Sequence, residues 1–179
     1  MTSYVALLRG INVGGNKMIA MADLRAALEA MGLAGVRTLL QSGNVVFRAA
    51  AQAPPKLEAR LEKEAGKRFG FTPDFHVRTA GEWRQVVEEN PFPTEAKADP
   101  GHLLVTFFKA PLDTARVEAL QAAITGPELV RCSGRHLYMT FPAGIGASKA
   151  PILVDRTLGA RGTARNWNTV TKLAALIDQ

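Results

Sequence analysis

The sequence has few of the residues that build disulfides and metal sites. It contains one cysteine, Cys132, and three histidines, His76, His102 and His136, among 179 residues. A single thiol excludes an internal disulfide framework and any site made of several thiolates. The histidines lack the close spacing of zinc ligands, so we expect no structural metal.

Long apolar runs are missing as well. No segment approaches the run of about 20 apolar residues that a membrane-spanning helix needs. The first apolar run, Tyr4 to Leu8, reaches Arg9 too soon to be a signal-peptide core. We therefore expect a soluble cytoplasmic protein without a membrane partner.

The composition is that of a globular protein with a basic excess. Hydrophobic residues make up 47% and charged residues 21%, which excludes disordered, collagen-like and coiled-coil chains. The 22 Lys and Arg against 16 Asp and Glu give a net charge of +6. Such a charge favours anionic partners but also serves solubility.

The order of apolar patterns predicts an α+β protein with two tandem βαββαβ plaits of the ferredoxin-like type, each followed by an extra helix. Both halves contain a Ser-Gly hairpin turn, at Ser42-Gly43 and Ser133-Gly134. The likeness of Thr79–Val86 to Thr163–Val170 also indicates internal duplication. The predicted division is an N-terminal plait at residues 1–90, a linker at 91–101, whose prolines should exclude helix and central strand, and a C-terminal plait at 102–179.

The most unusual segment is the Gly-rich loop, Arg9–Lys17, after the first strand. Glycines let backbone N–H groups approach an anion, and Arg or Lys supplies charge, so a phosphate or carboxylate site is one interpretation. The loop is neither a Walker loop, because Asn16 precedes Lys17 and no Ser or Thr follows, nor a G-x-G-x-x-G fingerprint. A well-packed turn with solvated charges is the alternative. The candidate ligand-binding residues of this loop are Arg9, Gly10, Asn12, Gly14, Gly15 and Lys17.

Topology predicts partners for this loop. The first two strands of a βαββαβ plait run the same way, so the loop and the hairpin after the second strand emerge at one end of the sheet. The corresponding turn of the second half, Lys109-Ala110-Pro111, is short and unremarkable. We therefore expect the first half to carry the function. The hairpin residues expected to orient a ligand are Gln41, Ser42 and Asn44.

A second candidate lies near the C-terminus, in Arg165, Asn166 and Trp167. Cations beside an aromatic ring can hold a phosphate or stack a base, whereas an asparagine here, Asn166 or Asn168, can simply cap the last helix. Both interpretations stay open.

Among other features, Cys132 is expected to be a small buried apolar residue. A solvated helix face is expected for Glu58, Glu62 and Glu64.

Three of these motifs together resemble one bacterial family. The segments Leu7–Asn16, Gln41–Phe47 and Thr163–Val170 with Lys172-Leu173 are similar to those of the family catalogued as domain of unknown function 1697. The resemblance implies a pair of ferredoxin-like plaits, in agreement with the pattern above. It implies no established activity, because the family is uncharacterised.

Three functions follow as hypotheses. The first is a ligand-binding protein or small enzyme that takes a phosphorylated metabolite or nucleotide, with Arg9 and Lys17 as charge partners. The second is a nucleic-acid-binding module, because the chain is basic and RNA binders use this plait. The third is a protein-interaction domain without a ligand. Catalytic residues, the reaction, any cofactor and the oligomeric state are not specified by the sequence.

Overall fold

The computed structural model describes all residues, Met1–Gln179, and contains two four-stranded antiparallel sheets. The strands are β1 (Thr2–Arg9), β2 (Ala34–Leu39), β3 (Asn44–Ala49), β4 (Asp74–Thr79), β5 (Leu103–Phe107), β6 (Val130–Ser133), β7 (His136–Thr140) and β8 (Thr163–Asn166). The helices are α1 (Met21–Ala30), α2 (Pro54–Phe69), α3 (Ala80–Glu88), α4 (Pro93–Ala98), α5 (Thr114–Ala123), α6 (Ala150–Leu158) and α7 (Trp167–Ile177). No helix combines the length and the apolar character that crossing a membrane requires.

Both sheets have the strand order of a ferredoxin-like plait. The first is β2-β3-β1-β4 and the second is β6-β7-β5-β8. In each sheet the first strand of its half lies in the centre, between two antiparallel neighbours. The predicted fold class, two tandem plaits in one chain, is confirmed.

The chain separates into two compact units. The first comprises Met1–Gln85 together with Lys172–Gln179, and the second comprises Val86–Thr171. The C-terminal residues belong to the first unit, where the Arg37 guanidinium donates to the Leu176 carbonyl oxygen at 2.6 Å. The predicted limits at residues 90 and 102 do not include this return of the chain.

The core of the first unit lies between one face of its sheet and helices α1 and α2. Alternate side chains of β1, Tyr4, Ala6 and Leu8, point to this face and are at most 1% exposed. The Tyr4 ring stacks on Phe47 with centroids 5.6 Å apart, and its hydroxyl donates to the Gln52 carbonyl oxygen. This face fixes β1, and therefore the start of the Gly-rich loop.

The second unit repeats the arrangement with α5 and α6 over its sheet. Leu120 and Leu137 are at the centre of this core, and Cys132 packs against it half-buried. Burial raises the pKa of the Cys132 thiol, and Glu118 adds to the effect. The thiol is therefore protonated at neutral pH, in line with a small apolar role.

The segment 91–101 is not devoid of helix. Helix α4 occupies Pro93–Ala98, with a proline in its first turn, and a 3₁₀ turn follows at Pro100–His102. A proline at the first helical position lacks only an N–H that would have no intrahelical partner. The expectation that prolines exclude helix from this segment is wrong for that reason.

The octapeptide comparison that indicated duplication is out of register. Thr79 ends β4 and caps α3 together with Glu82, since the Glu82 N–H donates to Thr79 Oγ1 at 3.1 Å and the Thr79 N–H to Glu82 Oε2 at 2.8 Å. At the end of β8, it is Asn166 that accepts from the Thr169 N–H at 3.0 Å. Thr79 therefore corresponds to Asn166 rather than to Thr163, and the two tryptophans occupy different helical positions.

Two carboxylates of α2 line the edge strand β4. Glu58 is 4% exposed and accepts from the Val77 N–H at 2.8 Å, while Glu62 accepts from the Phe75 N–H at 3.0 Å. They satisfy amides that an edge strand would otherwise leave unpaired. The expected solvated face is thus wrong for Glu58 and Glu62; Glu64 does lie at the surface, paired with Lys67.

We expect Glu58→Ala to lower the free energy of unfolding by about 2 kcal/mol, because it leaves the buried Val77 N–H without an acceptor. Glu58→Gln keeps an acceptor oxygen and should lose less. Urea denaturation at neutral pH measures the difference, with Glu64→Ala as the control at the helix surface. Equal losses in Glu58→Ala and Glu64→Ala would contradict the assigned role.

Candidate functional site

One side chain joins the Gly-rich loop to the β2–β3 hairpin. The Asn12 amide nitrogen donates to the carbonyl oxygens of Ile19 at 2.9 Å and Gln41 at 2.7 Å. Its oxygen accepts from the Ile19 N–H at 2.8 Å, and the Asn12 N–H donates to the Lys17 carbonyl oxygen at 2.9 Å. The structure therefore brings the loop and the hairpin together through Asn12, which is held within the loop itself.

The loop backbone repeatedly enters the left-handed region. Positive φ angles occur at Gly10 (65°), Asn12 (55°), Gly14 (70°) and Gly15 (85°). Asparagine is one of the few other residues that adopt this conformation readily. Gly14 and Gly15 are exposed, with nothing within 4 Å of the position of a Cβ atom, so their backbone is open to an approaching group.

The polar hairpin residues mostly satisfy the hairpin. The Asn44 side chain is fully buried and donates to the Leu39 carbonyl oxygen at 2.8 Å and to Ser42 Oγ at 2.9 Å. Gly43 accepts from the Leu8 N–H at 2.8 Å, which ties the turn to β1. Ser42 and Asn44 thus shape the turn, and Gln41 is the exposed residue beside Asn12.

The two cations of the loop lie in different surroundings. Lys17 is exposed, and the stretch from Arg9 to Ala20 contains no acidic residue. Arg9 is half-buried at the end of β1, where Asp74 of β4 is its cross-strand partner. Opposite charges at such positions attract each other. Lys17 is therefore the more exposed of the two cations.

Sequence reasoning missed a titratable group beside Arg9. His76 on β4 is 1% exposed, and neither ring nitrogen has a hydrogen-bond partner. The nearest carboxylate oxygen, Asp74 Oδ2, lies 3.5 Å from His76 Nε2. His76 lies between Phe75 and Val77 in β4, and both of those side chains face the core. The alternation of a strand therefore places His76 on the opposite face of the sheet, and this pattern in the sequence could have drawn attention to it.

The C-terminal candidates belong to the second unit, and each has a local role. The Arg165 guanidinium donates to Thr163 Oγ1 and to the Ala164 carbonyl oxygen, both at 2.8 Å. Burial lowers the pKa of Arg165 to about 10, so it remains charged at neutral pH. Asn166 caps α7, and Trp167 is 8% exposed. A ligand role for these three residues stays a prediction.

Apolar side chains are exposed at the same end of the first unit. Val13 is 66%, Met18 62% and Leu40 54% exposed, three of the six large hydrophobic residues at the surface. Val13 follows Asn12, Met18 precedes Ile19 and Leu40 precedes Gln41, and hydrogen bonds of Asn12 join these points. The surface around Lys17 is therefore partly apolar.

Comparison with solved structures supports the fold. The chain is similar to a conserved bacterial protein from Streptococcus pneumoniae, with 23% sequence identity, a TM-score of 0.72 and 98% of each chain covered. No curated protein matches the sequence. The model of the family described as protein of unknown function DUF1697 matches residues 1–138. Because that match covers well over half of the length of this chain, the chain belongs to the DUF1697 family.

Proposed function

We propose that the Gly-rich loop binds an anionic ligand, a phosphorylated metabolite or nucleotide. The observation that carries the proposal is the exposed backbone of Gly14 and Gly15 next to Lys17, in a stretch without acidic residues. Glycines in the left-handed conformation form concave backbone surfaces that bind phosphate groups.

In this proposal some site residues face the ligand and others support the loop. Lys17 pairs with the anion, and Gly10, Gly14 and Gly15 present the backbone. Gln41 orients the ligand from the hairpin, and Arg9 adds positive charge from the end of β1. Asn12, Ser42 and Asn44 support the loop and the turn through the hydrogen bonds described above.

Lys17→Ala should weaken the affinity for a nucleoside monophosphate about tenfold, since a charge-assisted contact is worth about 1.5 kcal/mol or more. A titration with AMP and with inorganic pyrophosphate, followed by the amide chemical shifts of the loop residues, measures the change. Lys63→Ala, which removes an exposed lysine of α2 in the same unit, is the control for net charge. Unchanged affinity in Lys17→Ala, or an equal loss in Lys63→Ala, would overturn the proposal.

A protein-interaction role is the second candidate, favoured by the exposed Val13, Met18 and Leu40. Exposed apolar side chains grouped on one surface are typical of association sites. Leu40 has a φ of 60°, which asparagine tolerates, so Leu40→Asn removes apolar surface without backbone strain. Native mass spectrometry should then find an oligomer in the parent protein that Leu40→Asn loses; a monomer in both would remove this candidate.

The nucleic-acid hypothesis has weaker support. RNA-binding plaits stack bases on an open sheet face. In the first sheet Val5 and Leu7, which face away from α1 and α2, are at most 1% exposed. The net charge alone then remains in favour of nucleic-acid binding.

We also propose that the two halves arose by duplication. The support for this is the strand order that both sheets share.

A further inference from the structure

The turn Lys109-Ala110-Pro111, unremarkable in sequence, lines a cleft of about 480 Å³ in the second unit. The other wall is the segment after α6, which contributes Leu158, Ala160 and Arg161. Phe107 of β5 pairs with Thr163 of β8 in antiparallel register, so β5 ends where β8 begins. Topology therefore brings these two loops to one end of the second sheet. We call this cavity the basic cleft.

The basic cleft carries an excess of positive charge. Three cations from separate segments line it, Lys109, Arg116 and Arg161, against one carboxylate, Asp113. Asp113 Oδ1 accepts the Ala115 N–H at 2.9 Å as the cap of α5, so that carboxylate is engaged with the helix. Helix α5 begins at this wall, and its dipole adds to the positive potential.

Arg116 is held in position at the cleft. Its Nη1 donates to the Leu158 carbonyl oxygen at 3.0 Å. A Cβ atom on Gly159 would lie 2.9 Å from the same nitrogen, so the glycine lets the guanidinium lie close to the backbone. One of five guanidinium N–H groups is used in this bond, which leaves donors for a ligand on a group whose orientation is already fixed.

The floor of the cleft is fixed by backbone hydrogen bonds. The N–H groups of Phe108 and Leu112 donate to the carbonyl oxygens of Arg135 and Gly134, each at 2.9 Å. The turn between them is thus anchored at both ends to the β6–β7 hairpin. A site with fixed walls loses less conformational entropy when it binds a ligand.

We propose that the basic cleft is a second anion site, which takes a small molecule bearing a phosphate group. Guanidinium groups bind phosphate oxygens in a planar, bidentate manner, and Lys109 adds a point charge. A volume of about 480 Å³ suits a molecule the size of a nucleoside monophosphate, within the usual range of ligand sites. The site stands independently of the Gly-rich loop, with which it shares no residue.

Amide chemical shifts of the full chain, titrated with inorganic pyrophosphate and with AMP, test the proposal. Besides any shifts at the Gly-rich loop, shifts should appear at Lys109, Ala110, Leu112 and Asp113 and at Gly159–Arg161. Arg161→Gln should weaken binding about tenfold, the loss expected for one charge-assisted contact. Arg116→Lys, which keeps the charge and loses the planar donor fork, should weaken it as well. Arg156→Gln, an exposed position of α6 outside the cleft, is the control.

Each other outcome overturns the proposal. Shifts absent from both cleft segments mean that neither phosphate probe enters. An equal loss in Arg156→Gln and Arg161→Gln means that net charge alone attracts the anion. Shifts confined to Arg9–Lys17 would support the Gly-rich loop and refute the cleft, so the two sites are distinguished in a single titration.

Discussion

Alanine at Gly43 is expected to lower the free energy of unfolding by about 3 kcal/mol, the sum of backbone strain and overpacking. The φ angle is 79°, and the added Cβ would lie 2.8 Å from Leu8 Cβ and 2.8 Å from Ile11 Cδ1. Leu8 Cβ is part of a strand that has neighbours on both sides, so it cannot move away. The clash falls at the contact between hairpin and loop.

Gly134→Ala is the matched control for this prediction. Gly134 lies in the corresponding hairpin turn of the second unit with a φ of 54°, but nothing is within 4 Å of its Cβ position. Gly134→Ala should therefore lower the free energy of unfolding by about 1 kcal/mol, the cost of the left-handed conformation alone. Urea denaturation of both variants separates strain from clash. Equal losses would contradict the close packing at Gly43.

The fold was accessible from the sequence because it depends on local patterns. The continuous apolar run of β1 and the helical periodicity of α1 survive in the structure, and Thr79 and Glu82, spaced as in a capping box, form one. Long-range returns leave no such pattern. The contact of Arg37 with Leu176 joins residues that are 139 positions apart, so nothing near either residue indicates that α7 ends against the first sheet.

The roles of the site residues were harder to predict, for a physical reason. Asn12, Ser42 and Asn44 have the polar groups that a ligand site needs, but the turns they occupy have backbone groups that need the same partners. Residue type does not show which of the two demands is met. For Glu58 the demand came from an edge strand that lies 19 positions along the chain. The Lys17 side chain is exposed and makes no such contact with the backbone of a turn. It therefore keeps the role of charge partner that the sequence predicted for it.

The basic cleft is a site that no single segment of the sequence indicates. Its turn has one cation in sequence, Lys109, and looks ordinary. Arg116 comes from the next helix and Arg161 from a segment about 50 residues later, and the pairing of β5 with β8 joins them. A site whose charges come from separate segments has no motif. Strand order, which the sequence does predict, is the route by which such sites can be found.

Asn12→Ala is expected to destabilise the first unit by about 3 kcal/mol. It removes the three side-chain hydrogen bonds of Asn12. It also places alanine at a φ of 55°, where no side-chain hydrogen bond offsets the strain of the left-handed conformation. Asn12→Gly loses the same bonds but tolerates the backbone angle, so it should be about 1 kcal/mol more stable than Asn12→Ala. Urea denaturation of the two variants measures both quantities.

The same pair of variants bears on function, because Asn12 supports the loop without being assigned to the ligand. If the Gly-rich loop binds phosphate groups, Asn12→Gly should weaken the affinity for AMP at a temperature where the variant is still folded, through loss of the bonds to Ile19 and Gln41. Shifts at the basic cleft should be unaffected. Unaltered AMP-induced shifts at Arg9–Lys17 in a folded Asn12→Gly protein would mean that the loop geometry is not what receives the anion.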